Sequence, residues 1–237
     1  MLERWLYLSL MRTRCLLLAL CYCLYGCIAP KTPARLTRDL SPEFVNRFGG
    51  GNTGLSEKLD LNGIYQYSWR SPQRLDTTRI QLLFYVDGTF RNNLHLAPGN
   101  SSFKDYFNEV KETGRDHKFY NQGDWGIYTL SGDTIKAQYL SFPYRSVPTD
   151  AGEEWYVITS KTSLRMILRN WDILDHPNTN LIRQHEFVKE VSSLEFIPID
   201  NIPPPLPWIK TRKFFWRYEQ DWMKYNEDPK DKARLKN

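Results

Sequence analysis

RIQLLFYVDGTFRNNLHL, residues 79–96, sets Asp87-Gly88 between two runs rich in apolar and aromatic residues. An Asp-Gly pair in that setting is the strongest short-range hairpin signal, because its residues accept the positive φ that a tight, strand-matched turn requires. The stretch therefore reads as two antiparallel strands. Upstream, LNGIYQYSW (61–69) alternates, with Tyr65, Tyr67 and Trp69 on one face and Ile64, Gln66 and Ser68 on the other. Downstream, GDWGIYTLSGDTIKAQYL (123–140) is a second hairpin turning at Ser131-Gly132-Asp133, and EEWYVITSKTSLRMIL (153–168) a third turning near Lys161-Thr162. HEFVKEVSSLEFIPI (185–199) adds one long strand or a bulged pair. About eight strands result, nearly all joined to their sequence neighbours. Consecutive hairpins of that number close into an up-and-down antiparallel barrel, which removes exposed edges. The expected class is all-β.

Helices interrupt this pattern. In SSFKDYFNEVKETG (101–114), Phe103, Tyr106, Phe107 and Val110 recur at helical spacing behind a serine cap, and Gly114 ends the run, so a short helix is expected between strands three and four. After the breaker IPPPLP, the stretch PWIKTRKFFWRYEQDWMKY (207–225) reads as a C-terminal helix with Trp208, Phe215, Tyr218, Trp222 and Tyr225 in one stripe beside Lys210, Arg212, Lys213 and Arg217. Such a stripe either docks on the barrel exterior or lies on a membrane surface. Before the barrel, SPEFVNRFGGG (41–51) reads as a two-turn helix with Ser41 as N-cap, Pro42 at the first position and Gly49 as C-cap, followed by a glycine-rich joint at 49–54.

All four cysteines of the 237-residue chain lie in CLLLALCYCLYGCIAP, residues 15–30. The apolar run from Cys15 to Gly26 is shorter than the about 20 residues that span a bilayer. A single span over 5–29 would bury Arg12 and Arg14 at roughly 2.5 to 3.5 kcal/mol each near its centre. Basic residues followed by a short apolar run fit an export signal instead, starting at Met1 or Met11. The signal ends in LYGC (Leu24–Cys27), which resembles the lipobox of bacterial lipoproteins, Tyr25 departing from the small residue usual there. That resemblance implies cleavage after residue 26 and a lipid on Cys27, leaving no cysteine pair for a disulfide or a metal. Residues 1–26 carry three Arg and one Glu, so their removal takes the net charge from +5 to +3. An exported chain of mild charge has no call on nucleic acid, and about 210 residues bury enough surface to do without staples.

Four units follow: a signal peptide (1–26), a lipidated tether with a short helix (27–58), the barrel (59–200) and a Pro-rich turn with the aromatic, basic C-terminal helix (201–237). The order Gly63-Ile64-Tyr65, YVDGTF, Gly123-Asp124-Trp125, TLSGDTIKAQYL and YVITSKTSLRMIL resembles the lipocalin-like lipoproteins of gram-negative envelopes, within the wider calycin group. In that group a G-x-W on the first strand plugs the barrel floor. Here Tyr65 stands at that position, Gly123-Asp124-Trp125 repeats the spacing later, and the T-D-Y motif is absent because Ala151 follows Thr149-Asp150. The resemblance implies a lipid-anchored protein on the periplasmic face of an outer membrane, with surface display as the alternative. Ile28 follows the cysteine where inner-membrane retention wants Asp. Tyr65, Phe84, Trp125 and Trp155 are the expected interior or ligand-facing residues.

Motifs for chemistry are missing from the sequence. His95, His117, His176 and His185 show no H-E-x-x-H or close metal spacing, and no G-x-S-x-G elbow occurs. WDILDHPNTN (171–180) offers Asp172, Asp175, His176 and Asn178 but lacks the glycine and closing Glu of a calcium loop. Glu153 and Glu154 start a strand, alternate faces and cannot form a dyad. Asn100 heads a glycosylation-type triplet, but Ser102 is better used as a helix cap. No enzyme, metal or cofactor is expected. Two classes remain: a binding barrel for a small apolar or amphipathic ligand, or an accessory subunit with a filled barrel that holds an envelope protein partner. The aromatic content of 14% leans toward filling, since Tyr and Trp consume volume.

Overall fold

The computed structural model describes residues 44–49, 51–70, 77–94, 102–114, 118–121, 123–140, 151–170 and 193–227. Its strands are β1 (Gly63–Arg70), β2 (Thr77–Phe84), β3 (Thr89–Asn92), β4 (Asp124–Ser131), β5 (Thr134–Leu140), β6 (Ala151–Ser160), β7 (Ser163–Asn170) and β8 (Leu194–Pro198). Each is antiparallel to the next, and β8 returns to β1 through Gly63↔Pro198 to Gln66↔Glu195, closing an up-and-down barrel. The Asp87-Gly88 turn is built as its chemistry requires. Gly88 takes φ 92°, while Asp87 Oδ1 accepts from Thr89 N at 3.0 Å and from Thr89 Oγ1 at 2.6 Å.

Helix α1 (Leu55–Lys58) precedes β1, and its end of the barrel also carries the β4–β5 and β6–β7 turns. Leu55 and Leu59 enter the inner core, and Lys58 Nζ reaches Asp133 Oδ1 at 2.6 Å. Helices α2 (Phe103–Thr113) and α3 (Lys118–Asn121) come between β3 and β4. Ser102 caps α2 by accepting from Asp105 N at 3.2 Å, and Gly114 closes it at φ 71°.

Two clusters divide the apolar residues. The inner one draws on all eight strands, with Phe84 at its hub: its ring lies 5.7 to 6.1 Å from those of Tyr65, Phe90, Tyr128 and Tyr156. The outer one covers one side of the barrel with Tyr106, Phe107 and Val110 of α2, Phe119 and Tyr120 of α3, and Phe44, Phe48, Ile209 and Phe215 from the two ends of the described chain. Three inward glycines make room for rings. A Cβ at Gly126 would stand 2.1 Å from the Phe90 ring, one at Gly152 2.2 Å from the Tyr139 ring and one at Gly63 2.6 Å from the Phe196 ring. Gly126→Ala is expected to cost about 1–3 kcal/mol by overpacking, read as a lower midpoint in urea; an unchanged midpoint would show that Phe90 swings away freely.

Two expected helices are built otherwise. Residues 44–48 are extended, not helical, because they bury Phe44, Asn46 and Phe48 at a period of two and pair with the C-terminal segment. Phe48 N donates to Phe215 O at 2.8 Å, Arg217 N to Phe48 O at 2.9 Å, and the N–H groups of Val45 and Asn46 to Gln138 Oε1 at 2.9 and 3.0 Å. The C-terminal stripe is likewise not one helix. It breaks into 3-10 turns at Trp208–Thr211 and Lys213–Phe215 and a helix α4 (Glu219–Glu227), with Arg212 and Trp216 extended so that Trp216 can bridge to Phe48. Phe215 is buried against the barrel, whereas Tyr218 and Met223 are exposed. WDILDHPNTN, the four histidines and residues 185–192 lie outside the described residues, as do Cys27 and everything before Phe44.

Candidate functional site

At the end away from α1, the barrel interior turns polar. Glu154 on β6 has no exposed surface, and Arg169 on β7 is buried beside it, Nε 2.9 Å from Glu154 Oε1. Arg169 Nη1 donates to the Tyr67 hydroxyl at 2.7 Å, the Tyr156 hydroxyl donates to Glu154 Oε2, and Asn92 Nδ2 stands 3.5 Å from Glu154 Oε1. Tyr139 faces the same charges. Asn92 is itself buried, and its Oδ1 has no hydrogen-bond partner among the described residues.

A bulge in β7 puts Arg169 there. Tyr156 pairs with Met166 but Trp155 pairs with Leu168, so Ile167 is an extra residue on β7 and stands 39% exposed. Met166 points inward; strict alternation would send Leu168 inward and Arg169 outward. The bulge reverses that parity and turns Arg169 in, opposite Glu154.

Burial raises the pKa of Tyr67, Tyr139 and Tyr156, and the Glu154 carboxylate raises each further. For Arg169, burial is the largest influence and works to lower the value, but Glu154 together with Tyr67, Tyr139 and Tyr156 outweighs it and the net shift is upward. The tyrosines are thus held as neutral phenols, Tyr156 donating to Glu154 and Tyr67 accepting from Arg169. Because their folded values lie above the ordinary value of about 10, their contribution to stability is complete below pH 10 and is lost as pH rises through the folded values. Alkaline unfolding is expected to set in above about pH 10, with up to about 1.4 kcal/mol lost per pH unit for each tyrosine still protonated in the fold. Tyrosinate absorbance followed together with circular dichroism checks it; ionisation without loss of structure would contradict the burial.

The four residues expected inside divide evenly. Tyr65 and Phe84 are in the inner core, and the Tyr65 hydroxyl lies 2.8 Å from Asp60 O and 3.1 Å from Lys161 O at the α1 end. Trp125 is fully buried but on the outer face, under α3, where Nε1 donates to Phe119 O at 2.9 Å. Its neighbour Gly126 is the inward residue, since only a glycine admits the Phe90 ring. Trp155 also faces outward: it is half-buried, bonded to Glu153 Oε1, with Lys136 Nζ 4.4 Å from its ring. Sequence reasoning read Glu154 only as half of a pair that cannot form a dyad, and passed over Arg169 and Asn92. The alternation in GEEWY carried the signal, for an inward Tyr156 makes Glu154 inward as well, and a buried acid requires a partner.

A cleft of about 260 Å³ lies at the α1 end, lined by Arg47, Phe48, Thr53, Asp87, Tyr128 and Arg217 among others. Among the described residues no group of three or more metal-ligating side chains occurs, and no helix is long and apolar enough to cross a membrane. Comparison with protein-family models, with curated proteins and with solved structures finds no match to this chain.

Proposed function

We propose that this chain is a lipid-anchored, lipocalin-like barrel of a bacterial envelope, held by Cys27 to the periplasmic face of an outer membrane, that binds a small amphipathic ligand at the end away from α1. The observation that carries the reading is the polar group inside that end. A closed barrel gains nothing in stability from burying Glu154 and Arg169 when apolar residues of equal volume would serve as well or better, and desolvated charges with perturbed tyrosines mark binding sites more often than plain cores do. Aromatic rings fill the α1 half, so the ligand enters from the other end. Because Glu154 and Arg169 already neutralise each other, the head group this site suits is uncharged and donates a hydrogen bond to Asn92 Oδ1. A hydroxyl or amide head fits it better than a fatty-acid carboxylate.

Titration of the full chain with a fluorescent long-chain alcohol and with the matching carboxylate tests this. The alcohol is expected to bind and Asn92→Leu to weaken it about tenfold, the worth of one hydrogen bond to a desolvated acceptor. Equal binding of both probes to both proteins, or no binding, would sink the ligand reading in favour of an accessory subunit with a filled barrel, which the packing around Phe84 supports. Cys27→Ser is expected to move the chain out of the membrane fraction, since stable anchoring needs more than one acyl chain and the lipid supplies them; a variant that stays membrane-bound and normally processed would remove the anchor from the proposal.

A further inference from the structure

We propose that the cleft beside α1 is a second binding site, for an anionic group of the phosphate class gripped between Arg47 and Arg217. Arg47 is pinned before any ligand arrives. Its Nη1 donates to Phe44 O at 2.5 Å and to Asn46 O at 2.8 Å, and its guanidinium lies 4.2 Å from the centre of the Phe214 ring. Those contacts occupy one nitrogen and leave Nε and Nη2 without a protein acceptor among the described residues, and no carboxylate there pairs with Arg47. Partial burial lowers its pKa, as befits a cation whose charge the fold does not offset. Arg217 is brought to the same cleft by the Phe48–Trp216 bridge, its N–H donating to Phe48 O at 2.9 Å, and its side chain is exposed with no carboxylate partner among the described residues.

The acid that lines the cleft does not cancel these charges. Asp87 is paired with Lys210, whose Nζ also donates to Pro205 O at 2.9 Å. Two arginines therefore line the cleft without a balancing acid, and a planar fork matched to tetrahedral or planar oxyanions is the arginine geometry for phosphate and carboxylate. The volume, about 260 Å³, lies just under the range of roughly 300–1,000 Å³ typical of drug-sized ligands. That size suits a phosphate ester or a lipid head group. The Thr53 and Tyr128 hydroxyls are already engaged, since Tyr128 bonds Thr53 Oγ1 at 2.7 Å and Tyr85 O at 2.5 Å, so the arginine charges rather than these hydroxyls select the ligand. This site is independent of the Glu154 group, which lies at the opposite end of the barrel.

Calorimetric titration of the full chain with inorganic phosphate and with glycerol phosphate, beside flotation with phosphatidylcholine vesicles with and without phosphatidylglycerol, tests it. Arg47→Gln and Arg217→Gln are each expected to weaken anion binding about tenfold, with Lys161→Gln, an exposed lysine outside the cleft, leaving it unchanged. Arg217 is exposed, so its variant reports on the site even where Arg47→Gln lowers the melting temperature. Binding of the soluble phosphates with that pattern supports a free phosphate ester. A response only to phosphatidylglycerol, lost in the same two variants, supports a lipid head group. No binding of any probe, or equal losses in Lys161→Gln and the arginine variants, overturns the site.

Discussion

Arg169→Met is expected to lower the stability of the barrel by about 3–5 kcal/mol, the cost of leaving one member of a buried ion pair without the other. Glu154 has no exposed surface, so its carboxylate would keep the Tyr156 hydroxyl and the distant Asn92 amide as neighbours and have no cation. Tyr67, whose hydroxyl accepts from Arg169 Nη1, would lose that donor as well. Urea denaturation measures the loss. Adding Glu154→Leu in the same chain is expected to restore most of it, because replacing both charges with apolar groups removes the desolvation problem. A single variant within 1 kcal/mol of the parent would mean that water reaches the carboxylate, and the interior would then be open at that end.

Trp125→Ala is expected to cost about 3–5 kcal/mol, the range for emptying a large buried aromatic site. Its ring stacks near Tyr85 at 6.2 Å and Tyr120 at 6.5 Å, meets Phe119 edge-on at 5.3 Å, and lies 5.2 Å from the Arg91 guanidinium. Truncation would thus open the seam between barrel and helices at its centre. Trp125→Phe keeps the ring but strips Phe119 O of its donor, and about 1–2 kcal/mol is the expected loss. Both changes are expected to leave the proposed binding of the alcohol probe in the interior unaltered, because Trp125 faces away from it. Weakened binding of the alcohol probe by Trp125→Phe at unchanged stability would contradict that separation.

The strand count and the hairpins were legible because turn chemistry is local. Asp87-Gly88 and Gly132 demand positive φ within two or three residues, and Ser102 and Gly114 bound a helix in the same way. Which face of each strand is interior was not legible. β2 and β4 bury both faces, one on the inner rings and one under α2 and α3, so Leu83 and Phe84, or Trp125 and Gly126, are equally hidden and hydrophobicity cannot rank them. Trp125 was placed inside for that reason, although the glycine beside it marks the inner face. Residues 44–48 and 208–217 were read as helices because capping residues and an aromatic stripe describe local preference, while the contacts that decided their form join positions more than 90 residues apart.

Ile167 makes the polar interior a matter of reading frame. In a strand the side chains are read in alternate phases, and one inserted residue switches the phase for everything after it unless a bulge takes it up. Loss of Ile167 would close the bulge into a regular ladder that keeps Leu168 opposite Trp155 and Arg169 opposite Glu154, whereas keeping Ile167 without the bulge would send Arg169 to solvent and Leu168 to Glu154. The acid and the base therefore form one heritable unit, which the insertion leaves intact because the bulge absorbs it: a lineage that loses either charge without the other passes through a barrel with an unmatched charge at its heart. A chain of this architecture that lacks the extra residue in its seventh strand would be expected to carry the same acid and base opposite each other.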